Sequence, residues 1–326
     1  MSLDPDVAAT RLAVRRVLMA REHTDRPVVV ACSGGADSLA LLSAAIVEGH
    51  RVGLRVIGVT VDHGLQAGSA DHAAAVCEQM RDLGVDESVS VTVDVTAPGI
   101  GPEAAARRAR YEVLEQVAAT YWAEVVLLGH TLDDQAETVL LGLTRGSGAR
   151  SLQGMRRHFD GFARPFLDLT RAQTERACRA ESITWWIDPH NVDPAFTRSR
   201  LRTEVMPTLE AELGPGVARA LARTADQLRL DVAALDEAAA AAFADLGGAP
   251  LPVDRLLDQP PAIRRRVLRL AAVAAGAIDA ELFYDHVVAL DELITAWRGQ
   301  KWIDLPGPLR GVRRGNELRF ESVPTD

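Results

Sequence analysis

Cysteine is scarce in this 326-residue chain, and Cys32, Cys77 and Cys178 stand far apart with no CxxC pair. That excludes a disulfide framework and a paired-cysteine metal or redox motif, and it fits a reducing compartment. Lysine is scarcer still: Lys301 is the only one. No apolar run approaches the roughly 20 residues that span a membrane. The first residues, with Asp4, Asp6, Arg11, Arg15 and Arg16, lack the apolar core of a secretory signal. A cytoplasmic protein with no membrane partner is expected. Internal repeats and low-complexity linkers are absent. Net positive charge is also lacking: at −9 the chain as a whole argues against a nucleic-acid binder. Between Arg145 and Arg202, however, eleven arginines stand against six acids, a local excess inside an acidic chain.

With 48% hydrophobic and 25% charged residues, the chain is of ordinary globular type and long enough for two cores. Its first part alternates strand-like and helix-like segments. Val28–Cys32 and Val56–Val61 are continuous apolar runs, as in strands covered on both faces; Ser88–Val95 alternates; Val125–Leu128 is apolar again. Helical segments fall near Leu39–Glu48, Asp71–Leu83 and Glu103–Tyr121. Strands spaced by helices predict an α/β fold, a parallel, doubly wound, Rossmann-like sheet. Pro207, Gly214, Pro215 and Gly216 mark a boundary, so the predicted domains are 1–212 and 213–326. The second is expected to be smaller and mostly helical, with helices over Val217–Leu246, Ala262–Ala275 and Ala280–Trp297. A closing hairpin is expected around Gly315-Asn316.

The most informative segment is Ser33-Gly34-Gly35-Ala36-Asp37-Ser38, set between the strand Val28–Cys32 and the helix that begins near Leu39. Two glycines let the backbone turn tightly and approach a ligand. The amides at the new helix's N-terminus face outward, unpaired, with the positive end of the helix dipole behind them. Ser33 and Ser38 add hydroxyls. Asp37 would repel a phosphate unless a cation lay between them, which points to a nucleotide with Mg2+. A serine-capped helix after a Gly-Gly turn is the bland alternative. The string resembles the SGGxDS loop of the ATP pyrophosphatases, not the lysine-bearing GxxxxGK[ST] loop. That resemblance implies attack at the α-phosphate, release of pyrophosphate and an adenylated substrate.

A second constellation follows the fourth strand. On a helix, His130, Asp133, Asp134 and Glu137 fall on one face. Spacing alone divides evenly between a site and a solvated helix start; the Ser33 loop on the same sheet edge favours the site. Glu103, Arg107, Arg110 and Tyr111 share another helical face, where the residues alone favour a plain Glu–Arg surface pair. Arg145-Gly146-Ser147-Gly148 reads alone as a helix C-cap. Arg198, Arg200 and Arg202 cannot all share one helical face. They suggest an extended or fraying segment that meets phosphates, or else a solvated basic stretch.

Together these segments resemble the tRNA(Ile)-lysidine synthetases, a branch of the PP-loop ATP pyrophosphatases. The likeness runs through the Ser33 loop, Val61-Asp62-His63-Gly64-Leu65, Glu103–Tyr111, His130–Thr138, Arg145–Gly148 with Leu152 and Gly154-Met155, Arg164-Pro165, and Asp188–Pro207. It departs from the family pattern at His190 and Ser199, and at this length the additional C-terminal domain of longer members is not expected. The resemblance implies ATP and Mg2+ as cofactors, and free L-lysine and an isoleucine tRNA with a CAU anticodon as partners, with a homodimer as candidate assembly. Lysine would be joined to carbon 2 of the wobble cytidine through an adenylated intermediate. Asp133, Arg107 and Asp37 would be catalytic, with Asp37 on the metal. Ser33, Gly34, Gly35, Ala36, Asp37, Ser38, Asp62 and His63 would hold ATP. His130, Asp134 and Glu137 would hold lysine; Arg145, Arg198, Arg200 and Arg202 would hold tRNA.

Other readings remain open at this level. A tRNA thiolase on the same fold would want a reactive cysteine or cysteine pair. An amidotransferase-type synthetase would need an ammonia source. A nucleotide- or RNA-binding protein without catalysis would not need Ser33, Asp37, Arg107 and Asp133 together.

Overall fold

The computed structural model describes residues 3–22, 25–62, 64, 68–93, 102–146, 148–188 and 193–323, the side chains of 102–104 and 145 excepted. The chain divides into two compact units. The first comprises residues 1–141 and 154–223, the second residues 142–153 and 224–326.

The first unit opens with α1 (Pro5–Met19), whose N-cap Asp4 accepts from the amides of Asp6 and Val7. There follow β1 (Val28–Ala31), α2 (Ala36–Arg51), β2 (Val56–Asp62), α3 (Ser69–Asp82), β3 (Glu87–Thr92), α4 (Pro102–Thr120), β4 (Val125–Leu127) and α5 (Leu132–Arg145). After α6 (Ala149–Leu152), which belongs to the second unit, come β5 (His158–Phe159), β6 (Phe162–Ala163) and α7 (Arg171–Ala180). The unit continues through α8 (Thr197–Arg200), a π-helical turn Leu201–Val205 and α9 (Met206–Leu213). The sheet runs β3-β2-β1-β4-β6-β5. All neighbours are parallel except the edge hairpin β5–β6. Strand order reverses between β1 and β4. In such sheets the crevice beyond the strand ends at that reversal receives the ligand.

Apolar strands account for the layers. Val28, Val30, Val56 and Leu127 face Leu39, Leu41, Leu42, Val14 and Phe166 in one core. Val29, Ile57, Val59 and Val126 face Val113, Leu114 and Val117 of α4 in another. Each such fully buried side chain contributes about 1.5–3 kcal/mol. Gly129, just past β4, touches the start of α2: a Cβ there would stand 3.1 Å from the Asp37 carbonyl carbon and oxygen. The glycine thus lets the two site-bearing segments meet.

The arginine segment near 200 is helical, not extended. A wider π turn inserted after α8 resets the helical phase, so Arg198, Arg200 and Arg202 go to different partners.

In the second unit, α10 (Val217–Asp245) spans the point where the units divide. It is followed by β7 (Leu251–Pro252), α11 (Val253–Leu257), α12 (Pro261–Ala274), α13 (Tyr284–Thr295), β8 (Ile303–Leu305), β9 (Leu309–Arg314) and β10 (Glu317–Ser322). Its antiparallel sheet is ordered β7-β10-β9-β8. Gly315-Asn316 makes the expected two-residue hairpin, pairing Arg314 with Glu317. The last helix starts four residues later than its pattern suggested, because Asp279–Glu281 form a separate 3-10 turn. Leu251, Leu256, Val267, Leu268, Leu290 and Leu318 form the core. Among the described residues no helix is long and apolar enough to cross a membrane.

Candidate active site

The carboxyl ends of β1 and β4 lead directly into the two segments singled out in the sequence. After β1 the loop turns at Gly34, whose φ of 81° requires glycine. Gly35 is the N-cap of α2, and no side chain caps that helix. Ser38 closes the turn from within: its Oγ accepts from the Ser33 amide at 3.1 Å and donates to the Gly35 carbonyl at 2.9 Å. The first turn of a 16-residue helix thus meets the crevice without a side-chain acceptor, which suits an anion.

Asp37, in that first turn, faces α7. Thr174 donates to its Oδ1, and Arg171 Nε lies 3.4 Å from its Oδ2. Burial pushes its pKa up. Arg171 opposes the shift and the charge of Asp134 adds to it, and the carboxyl titrates at about 6. Among the described residues no three His, Cys, Asp or Glu side chains are gathered to hold a metal. Magnesium is commonly held by one or two carboxylates plus substrate phosphates. Asp37 meets that requirement: its charge is only partly compensated, and it sits at the anion-accepting turn.

The helix face of α5 carries the rest. Asp134 Oδ2 caps the helix start, accepting from the Thr131 amide at 2.7 Å and hydroxyl at 2.9 Å. Its Oδ1 accepts from Arg171 Nη2 at 2.8 Å and Arg202 Nη2 at 3.2 Å. Burial raises its pKa, but Arg171, His130, the Thr131 amide and Arg202 together outweigh burial and hold it below the usual value. Glu137 is buried and takes Arg202 on both oxygens, at 2.9 and 3.2 Å. Asp133 Oδ2 accepts from the Arg171 amide at 2.7 Å, at the N-terminus of α7. Its Oδ1 has no partner among the described residues. Asp133, Glu137, Arg171, Arg202 and Met206 line a small cavity of about 40 Å3, enough for a water-sized group.

His130 belongs to a different neighbourhood. Arg164 Nε, which can only donate, lies 3.3 Å from its Nδ1, so the proton of the neutral ring sits on Nε2. Desolvation pushes its pKa down. Asp134 opposes this, while Arg164, Arg110 and Arg107 reinforce it, giving a value of about 3 although the ring is only half-buried. Arg164 also donates to the Arg156 carbonyl at 2.6 Å and the Tyr111 hydroxyl at 3.0 Å, and it lies 4.2 Å over the Phe159 ring. Arg107 lies 5.4 Å over Tyr111. Desolvation, then the like charges of Arg107 and Arg198, lower the pKa of Arg110, although part of its side chain stays exposed.

The structure therefore brings Ser33–Ser38, Asp37, Asp133, Asp134 and Glu137 to one edge, with Arg107 and His130 in the adjoining arginine group. Asp62 ends β2 one strand away, where its Oδ1 accepts from the Gly64 amide at 2.9 Å. Arg202, expected on tRNA, is bound into the carboxylate group. Arg200 closes its own loop on the Pro194 and Ala195 carbonyls and the Thr197 hydroxyl. His63, Ser147, His190 and the side chains of Glu103 and Arg145 lie outside the described residues. Arg171, Thr174 and Tyr111 were not assigned roles from sequence. A readable signal did mark the first two: Thr170-x-x-Gln173 forms a capping box that starts α7.

A phosphate-accepting turn at the switch point of a parallel sheet, faced by carboxylates, defines a nucleotide-using α/β domain. Residues 9–209 match the PP-loop domain family, and residues 251–318 match the TilS substrate binding domain. The tRNA(Ile)-lysidine synthase of Thermobifida fusca is 52% identical over 320 residues, covering 96% of this chain and 97% of that protein. The tRNA(Ile)-lysidine synthase of Streptomyces coelicolor is 49% identical over 348 residues, covering 98% and 99%. The chain belongs to the tRNA(Ile)-lysidine synthases. Among solved structures, a U34-tRNA thiolase of Methanococcus maripaludis aligns with a TM-score of 0.54 and 20% identity, over 68% of this chain and 79% of that one, a likeness of fold. The thiolase reading is not favoured: all three thiols are free, and burial raises the pKa of each, that of Cys178 to about 12.

Proposed function

We infer that this protein uses ATP to join free lysine to carbon 2 of the wobble cytidine of an isoleucine tRNA with a CAU anticodon. ATP first adenylates the carbon 2 oxygen and releases pyrophosphate; the lysine ε-amino group then displaces AMP. The observation that carries this reading is the juxtaposition at the β1/β4 reversal. An uncapped helix start suited to phosphates stands beside a carboxylate-lined cavity the size of an ammonium group.

Each part has a physical task. The amides at the start of α2 hold the phosphates. Asp37 would hold Mg2+, which when bound neutralises charge on the departing pyrophosphate. Asp133 and Glu137 line the cavity with Arg171 and Arg202, and Asp134 and Asp37 stand against the same guanidiniums, so the group of four carboxylates and two guanidiniums keeps an excess of negative charge that favours the lysine ammonium. The ammonium must lose a proton before it attacks. Asp133 Oδ1, without a partner among the described residues, is the acceptor within the cavity. His130, whose pKa is pushed down by burial and by Arg164, Arg110 and Arg107 and whose Nδ1 already faces Arg164, is a poor base for that task. It serves as an uncharged Nε2–H donor to the substrate. Arg107 stabilises negative charge that develops on the α-phosphate or the cytosine oxygen.

The test is pyrophosphate release that depends on both tRNA and lysine, together with incorporation of labelled lysine into transcribed tRNA. Asp133→Ala and Arg107→Ala are expected to lower lysine transfer by roughly 10²–10⁴-fold while the protein stays folded. Release that needs neither substrate would refute the reading.

A further inference from the structure

The outer side of the phosphate loop is held by residues that no role above includes. His72, on α3, places Nε2 3.1 Å from the Ser33 carbonyl oxygen. A carbonyl can only accept, so this nitrogen carries the proton. The Trp186 amide donates to the Gly34 carbonyl at 2.9 Å. The two rings pack together, with centroids 4.0 Å apart at 39°. The strand of chain that carries Trp186 is itself tied to α3, because Gln79 Nε2 donates to the Thr184 carbonyl at 2.5 Å. Val76 of α3 leaves no room for a side chain at position 34, where a Cβ would stand 2.7 Å from its Cγ2.

The geometry of the peptide unit gives these contacts a consequence. In a trans peptide the C=O and the N–H point in opposite directions and turn as one rigid plane. The Ser33 carbonyl shares its plane with the Gly34 amide, and the Gly34 carbonyl shares its plane with the Gly35 amide. A donor that fixes each carbonyl outward therefore fixes the partner amide toward the crevice. The Gly34 amide faces the buried sulfur of Cys32, a weak acceptor that a phosphate oxygen can displace.

We propose that His72 and Trp186 are positioning residues for ATP: they clamp the Ser33 and Gly34 carbonyls from outside and so aim the Gly34 and Gly35 amides at the phosphates. This rests on the reading of the Ser33–Ser38 loop as the ATP site. The clamp acts on nucleotide alone, since neither residue lies among those lining the carboxylate cavity.

The test compares the wild type with His72→Phe, which keeps a ring against Trp186 and removes the donor, and with His72→Gln, which keeps a donor. Trp186→Ala and Trp186→Phe form the second pair. Pyrophosphate release is measured while ATP, lysine and tRNA are varied in turn, and binding of a non-hydrolysable ATP analogue is measured by calorimetry. His72→Phe is expected to raise KM for ATP and weaken analogue binding about three- to tenfold, the worth of one hydrogen bond, with kcat and the other KM values within about twofold. His72→Gln should recover most of the loss. Trp186→Ala keeps the amide that donates to the Gly34 carbonyl and removes only the ring packed on His72, so it should show the same split at smaller size, and Trp186→Phe should repair it. Folded His72→Phe with wild-type analogue binding overturns the proposal. So does a variant that fails to fold, or a kcat loss shared by all substrates and not rescued by glutamine; either marks a structural role. If the wild type binds the analogue but releases no pyrophosphate, the reading of the reaction fails while the clamp is still decided by the binding data.

Discussion

Two groups of charged side chains converge on His130, and they are built on opposite plans. In one, Asp134, Glu137, Asp37 and Asp133 are interlocked with Arg171 and Arg202 through contacts of 2.7–3.8 Å. In the other, Arg107, Arg110, Arg164 and Arg198 have no carboxylate partner among the described residues; their neighbours are Tyr111, Phe159, His130 and one another. The compensated group is held rigid by its own attractions, and removing one member strands the others. The uncompensated group repels itself, as the lowered pKa values of Arg110 and Arg164 record, with desolvation as the leading cause in each. The first suits a small cation that completes a lattice of charges. The second suits an anion that relieves a strain of like charges.

The comparison can be broken most forcefully at Arg171. Arg171→Ala leaves Asp37 with no guanidinium and Asp134 with one, and is expected to cost about 3–5 kcal/mol at pH 7. The sign with pH follows from Asp134, whose folded pKa lies below its unfolded value. The stabilisation it shares with Arg171 is present above about pH 4 and is lost as pH falls through the folded value. Thermal melts from pH 3 to 8 should therefore show the penalty shrinking toward acid. A constant Tm difference would mean that Arg171 acts by packing.

Asp37→Asn sharpens the contrast from the other side. Here the folded pKa is raised to about 6 from 3.8, so the ionised form burdens the fold. That burden is absent below the unfolded value, grows between about pH 4 and 6, and is full above 6. The asparagine variant should match the wild type at pH 3.5 and exceed it at pH 7 by on the order of 1–2 kcal/mol. It should also lose Mg·ATP binding by calorimetry. Unchanged affinity would remove Asp37 from the metal.

The smallest effect separates neighbouring arginines. Arg198 adjoins the uncompensated group, whereas Arg200 is consumed by its own loop. In filter binding of tRNA across a salt series, Arg198→Ala should flatten the log–log slope by roughly 0.7–0.9, one phosphate contact. Arg200→Ala should leave the slope alone. Equal slopes for both variants would detach Arg198 from the tRNA.

Much of this was legible in the chain because it is local. β-branched runs gave away β1 and β2, and the glycine loop and the His130–Glu137 face each reside within nine residues. What was missed is tertiary. Arg171 and Thr174 reach Asp37 across more than 130 positions, and no periodicity links them. A sequence displays the charge of Arg202 without its counter-ion; Glu137, 65 positions away, is that counter-ion. Around Arg198–Arg202 the residues leave an extended or fraying segment and a solvated basic stretch equally open, because a regular helix scatters three alternate residues; the π turn is not foreseeable from composition. Asp160-Gly161, between two aromatic-bearing pairs, is a strong hairpin dipeptide, and it makes the edge turn between β5 and β6.

The short excursion of residues 142–153 into the second unit has a consequence for biosynthesis. Arg150 of α6 pairs with Asp236, 86 positions later, and the Gln153 carbonyl is taken by Arg229. At about 5–20 residues per second, a ribosome delivers Asp236 roughly 4–17 s after Arg150. During that interval the middle of the chain has emerged while its partners are still unmade. The segment can settle only when the later unit arrives. Nor can a single cut separate the two units cleanly: a fragment that stops at residue 212 carries residues 142–153 without the surface that completes them.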